Sequence, residues 1–174
     1  MKTELTRTLE VALLNYCEEA GQFGIEEVTM PKRLGIVDML SYQLKTSHNG
    51  RGKPITFNPI WRCYEIKSSK ADFYSRAKKT FIGHYNYYVM PQELYEIVKK
   101  DIPEDIGVFV LVYEAWRNPA HELPYTLSSF KRAKSVELKL SHDEIYRQYI
   151  GSMHREVNKA RRIILENKRA IKTK

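Results

Sequence analysis

Between residues 4 and 20 the apolar positions Leu5, Leu9, Ala12, Leu13, Tyr16, Cys17 and Ala20 recur at steps of three and four. That spacing predicts a helix with one apolar side, stopped by Gly21 and Gly24. Residues 25–30 and 33–42 then read as two strands joined by a tight turn at Pro31-Lys32. Asn49-Gly50, Gly52, Pro54 and Pro59 punctuate residues 46–59, which predicts a long loop between strands. Residues 60–68 are rich in aromatic and branched side chains, as a central strand requires. Ser69 and Asp72 have the spacing of a helix start, and the helix is expected to run to about Thr80.

Residues 85–90 form a further expected strand, and Pro91 stands where the next helix begins, with Leu94, Tyr95, Ile97 and Val98 at helical spacing. The run 106–113 is almost continuously apolar, the pattern of a strand covered on both faces. After an irregular stretch through Pro119 and Pro124, Val136, Leu138 and Leu140 alternate with Glu137 and Lys139, which predicts a half-buried strand. Ser141 and Glu144 form a capping box for a long charged helix to about Lys168, with Ile145, Tyr149, Met153, Val157, Ile163, Ile164 and Leu165 on its apolar side. The order of elements predicts an α/β domain built on a mixed sheet flanked by helices, residues 1–115 forming the core and 116–174 a C-terminal helical extension packed on it or extending from it.

Composition narrows the classes. A chain of 174 residues with 43% hydrophobic side chains can build one real core. No stretch is apolar and long enough to span a bilayer, and Met1-Lys2-Thr3-Glu4-Leu5 opens no signal peptide, so a cytoplasmic protein without membrane partners is expected. Cys17 and Cys63 are too few for a disulfide framework and are expected to be reduced and buried. The formal charge of +8 favours a polyanionic partner. Part of that excess lies near the end, at Lys159, Arg161, Arg162, Lys168, Arg169, Lys172 and Lys174, as suited to a solvated helix face as to phosphate. Phosphate-loop, dinucleotide-binding, zincin and serine-hydrolase signatures are absent, so no nucleotide cofactor is expected.

The chemistry-bearing constellation is Asp38 on the second strand with Glu65 and Lys67 on the third. Residues two apart on a strand share a face, so Glu65 and Lys67 continue the face of Trp61 and Cys63, an odd place for charges without a task. Two such carboxylates on neighbouring strands can share one hard cation, and Mg²⁺ needs few protein ligands. A lysine beside it can orient a nucleophilic water and offset charge on a phosphodiester transition state. The spacing E-x-K recurs at Glu137/Lys139 and Glu166/Lys168, but there it reads as the wet side of a strand and part of a charged helix.

A helix with an inward Glu, then G-I-V-D at 35–38, then Y-E-I-K-S-S at 64–69, then helix and strand, resembles the PD-(D/E)XK nuclease superfamily of restriction-endonuclease-like folds. Within it, the segment 65–73 followed by the tyrosine-rich strand ending Val89-Met90-Pro91 is similar to the bacterial MmcB-like DNA-repair branch and related phage proteins. The resemblance covers residues 5–113. It implies a Mg²⁺-dependent deoxyribonuclease, with Mn²⁺ as a substitute, acting in DNA repair, recombination or phage DNA metabolism. Asp38 and Glu65 would be metal carboxylates, the Ile66 carbonyl a further ligand and Lys67 the residue that orients water. The first-helix carboxylate is matched by Glu10 ahead of Glu4 and Glu18. Val37 stands where the superfamily carries Pro, and the gap of 65 − 38 = 27 positions is longer than in most members.

Asp72, Lys78, Lys79 and His84 are candidates for contacts with phosphate or with the groups that hold the metal, and Lys70, Arg51 and Lys53 for contacts with nucleic acid, with helix-dipole and structural readings open for Lys78, Lys79 and His84. Tyr85, Tyr87 and Tyr88 suit sheet packing better than base stacking. The alternative function is a nucleic-acid-binding protein that keeps the nuclease fold without catalysis. A third reading pairs the last helix with a partner or with itself as a homodimer, although its apolar stripe reads as too irregular for sustained heptads.

Overall fold

Thr3 opens the first helix, its Oγ1 accepting the Thr6 N–H at 3.2 Å. The computed structural model describes residues 2–48, 54–113 and 124–172, without the side chains of 45–48, 54–58 and 170–172. The helix, α1 (Glu4–Glu19), buries Leu9, Ala12, Leu13 and Cys17. Strands β1 (Phe23–Met30), β2 (Gly35–His48) and β3 (Pro54–Ile66) follow, then the single turn α2 (Lys70–Phe73) and β4 (Tyr85–Pro91). Helix α3 (Gln92–Val98), β5 (Gly107–Tyr113), β6 (Tyr125–Lys131) and the long α4 (His142–Lys172) complete the chain.

The six strands form one mixed sheet in the order β1-β2-β3-β4-β5-β6. Its centre, β3-β4-β5, is parallel, and the pairs β1-β2, β2-β3 and β5-β6 are antiparallel. Alternation along β3 divides the core. Tyr64 and Ile66 join Leu9, Leu13, Met39, Val89 and Phe109 against α1, while Trp61 and Cys63 join Val28, Leu40, Ile82, Ile145 and Tyr149 against α4. A third cluster, with Leu94, Val98, Tyr88 and Val110, seats α3. This is the expected architecture, a mixed α/β sheet flanked by helices with a C-terminal helix. Both thiols are free and buried, and burial pushes each up to about 12, as expected of inert core cysteines.

Three local expectations fail. Residues 46–59 are not a long loop: β2 and β3 stay paired as far as His48↔Pro54, so the sheet extends into a two-stranded ribbon. Only 49–53 lie outside the described residues, and Arg51 and Lys53 are among them. The helix after Ser69 is one turn and does not reach Thr80. Thr80 and Ile82 are buried, and Thr80 donates its hydroxyl to the Leu34 carbonyl and its N–H to Glu65, the second a bond that a continuing helix would forbid. Residues 136–140 form no strand. Leu138 and Leu140 do pack beneath α4, but the edge of β5 is taken by β6, whose one buried side chain, Leu127, left almost no periodic trace in the sequence.

Candidate active site

The last registered pair of the β2–β3 ladder on this side is Met39↔Tyr64, and one step further brings Asp38 opposite Glu65. The Ile66 N–H donates to Asp38 Oδ2 at 2.8 Å, so the backbone of one strand holds the carboxylate of the other. Glu27, at φ 51°, interrupts the β1–β2 ladder between Glu26↔Met39 and Val28↔Val37, the stretch in which Asp38 lies. Glu65 is 3% exposed, and its Oε1 accepts the Thr80 N–H at 2.9 Å. Lys67 Nζ stands 3.8 Å from Glu65 and 3.6 Å from Asp72, whose other oxygen accepts the Ser68 N–H at 3.3 Å.

These groups line an open cleft of about 540 Å³. Its wall carries five carboxylates, those of Glu10, Glu27, Asp38, Glu65 and Asp72, and three ammonium groups, those of Lys2, Lys67 and Lys78. Burial and the neighbouring Asp38 push the Glu65 carboxyl up to about 7. Burial also raises Asp38, against the Ile66 N–H and the charge of Lys67. The Asp38 charge thus disfavours the charged form of Glu65, which is the electrostatic situation a divalent cation relieves. Among the described residues no three His, Cys, Asp or Glu side chains already converge as a metal cage. Mg²⁺ requires only one or two carboxylates, so this donor set still fits it.

Asp38, Glu65, Ile66, Lys67, Asp72, Glu10 and Lys78 are therefore brought together. Glu10 meets the cleft through Lys2, whose Nζ lies 2.6 Å from Glu10 and 2.9 Å from Glu27 and is raised by both. Lys78 reaches back to the Arg33 carbonyl at 2.7 Å. Lys70, Lys79 and His84 are not among the cleft-lining residues. Lys70 begins α2 on the surface, and Lys79 Nζ lies 5.1 Å from the centre of the Phe73 ring. His84 Nδ1 accepts the Trp61 N–H at 3.1 Å, near the other end of β4. Tyr64, Tyr87 and Phe109 pack ring on ring, the sheet-packing role expected of tyrosines here.

Lys2, Glu27 and Thr80 escaped the sequence reading. Lys2 and Glu27 join through ion pairs across distant parts of the chain, and Thr80 acts through its backbone, so no spacing marks them.

No family model matches this chain, and no curated protein matches it. Among solved structures it is similar to the SPO1766 protein of unknown function from Silicibacter pomeroyi, at 15% identity and a TM-score of 0.61, over 94% of this chain and 93% of that one. That likeness concerns the fold.

Proposed function

We propose that the protein is a Mg²⁺-dependent DNA phosphodiesterase of the PD-(D/E)XK type, working in DNA repair, recombination or phage DNA metabolism. The observation that carries this reading is the pair of desolvated carboxylates, Asp38 and Glu65, delivered by adjacent strands beside the nearly buried Lys67. Asp38, Glu65 and the Ile66 carbonyl would hold the ion, which when bound supplies a Lewis acid for a phosphoryl oxygen and a more acidic water. Lys67, fixed between Glu65 and Asp72, donates hydrogen bonds to the attacking water and to the phosphate as its charge grows. Lys2 and Lys78 on the cleft wall meet the phosphates that flank the scissile one. A chain charge of +8 brings DNA to the surface and makes its binding salt-dependent.

The test is cleavage of labelled single-stranded, linear, nicked and branched DNAs with Mg²⁺ or Mn²⁺. Wild-type protein is expected to cut at least one of them, and Asp38→Asn and Lys67→Ala to lose about 100-fold or more in rate with their thermal unfolding still cooperative. Cutting that survives both changes, or no metal-dependent cutting of any DNA, overturns the reading.

A further inference from the structure

Helix α4 outruns the body that holds it. Ile145, Tyr149 and Ser152 are buried, and Arg155 ties the helix to the sheet, Nη2 donating to the Glu26 and Glu27 carbonyls at 3.0 and 3.2 Å. From Lys159 to Arg169 every side chain is exposed. The helix nevertheless continues to Lys172, a further 172 − 155 = 17 residues, or about 25 Å at 1.5 Å per residue. This overhang carries Val157, Ile163, Ile164 and Leu165, the last three each more than half exposed. Helical segments draw most of their stability from packing an apolar face, and among the described residues this stripe stays exposed.

The same molecule presents an apolar groove of about 480 Å³ between the end of α1, the start of β1 and α4. Leu14, Phe23, Ile25 and Met153 line it, with Glu18 at its edge. Leu14 is 38% and Phe23 58% exposed. The last turn of α1 holds no basic residue, and it ends in Glu18 and Glu19 at the negative end of the helix dipole. The overhang has the opposite character: between residues 157 and 169 it bears Lys159, Arg161, Arg162, Lys168 and Arg169 against the single acid Glu166. A straight helix that passes its own groove at Tyr149 and Met153 cannot bring residues 160–170 back into it. Only another copy can.

We propose that two copies of this chain form a reciprocal dimer, in which the overhang of each α4 lays its apolar stripe into the α1–β1 groove of the other and its basic residues against the acidic end of α1. Such an exchange is isologous and closes on itself, with two equal contacts. The basic overhangs face acidic groove edges, whereas helix-to-helix pairing would set two strongly basic tails against each other. The dimer stands independently of the nuclease reading.

Light scattering on the full chain over a range of protein concentrations reads the mass. The expected result is twice 20.5 kDa at high concentration, falling toward 20.5 kDa on dilution. Leu14→Lys in the groove and Ile164→Lys on the overhang, both exposed positions, should each weaken self-association by about tenfold or more while circular dichroism and melting stay native. Mixing the two variants should restore a dimer, because one keeps an intact groove and the other an intact overhang. A wild-type monomer at every concentration overturns the proposal, including one that instead binds anionic vesicles. Variants that remain dimeric alone, or that fail to associate when mixed, overturn it as well.

Discussion

The cost of the site is concentrated in Glu65. Its carboxyl has an ordinary value of 4.5 and is pushed up to about 7 in the fold by burial and by Asp38. The folded state therefore binds the proton more tightly than the unfolded state, and stability from this group is full below about pH 4.5 and lost as pH rises through 7. The shift corresponds to something on the order of 3 kcal/mol at this 3%-exposed side chain. Without divalent cations, Glu65→Gln is expected to unfold at higher temperature than wild type at pH 8, with the difference vanishing near pH 4.5; melts across that range check it. Added Mg²⁺ should raise the melting point of wild type more than that of Glu65→Gln. Gly35 is a second sensitive residue. It adopts φ 119°, and a Cβ there would stand 2.5 Å from the Thr80 hydroxyl. Gly35→Ala should therefore lower stability by about 1–3 kcal/mol and loosen Glu65 through its Thr80 support, read as a lower melting point and slower cleavage. Asp38, Glu65 and Lys67 were legible because strand alternation places charge where the neighbours are Cys63 and Trp61. Glu27 was not, since its part depends on a left-handed backbone that glutamate rarely adopts.

Element by element, the start of α4 was the most readable feature. Ser141 Oγ accepts the Glu144 N–H at 3.3 Å, and the Ser141 N–H donates to Glu144 Oε2 at 3.0 Å, the reciprocal bonds that the spacing of the two residues implied. Lys32, from the β1–β2 turn, adds an ion pair to Glu144 at 2.7 Å and, with Ser141, holds that carboxyl down to about 2. Ser141→Ala should cost about 1 kcal/mol and lower the melting point by about 2–4 °C, measured calorimetrically. The next tie is aromatic: Trp61 Nε1 donates to His142 Nδ1 at 3.0 Å, while its backbone N–H donates to His84 Nδ1 at 3.1 Å. Both imidazoles accept at Nδ1, so protonating either removes an acceptor. Burial, His142 and Arg62 lower His84 below its ordinary 6.5, and a depressed histidine gives stability present above 6.5 and lost as pH falls. A wild-type melting point that drops between pH 7 and 5.5 more steeply than that of His84→Gln is the expected sign; parallel curves would show that the histidine carries none of it. The strand β6 and the shortness of α2 were illegible for a common reason. In both segments the backbone obeys distant partners, the edge of β5 and the Glu65 carboxylate, rather than local periodicity.

For the whole molecule, the order of elements was enough to anticipate a mixed sheet between helices, because a long apolar run at 107–113 and two amphipathic helices leave few other arrangements. What patterning understated was the reach of β2 and β3. Their pairing with β1 stops at Phe23↔Tyr42 and with β4 at Arg62↔Tyr85, yet they remain joined to His48↔Pro54. Asp38 and His48 sit ten residues apart along one strand, 48 − 38 = 10, a span of about 34 Å at strand rise. That length is close to one turn of B-form duplex. The sheet is in this sense a ruler with the carboxylates at one end and the His48↔Pro54 pair at the other. If the protein is the nuclease proposed above, a duplex lying along this length would meet the molecule at two points one turn apart, and a footprint would show two protected stretches about ten base pairs apart.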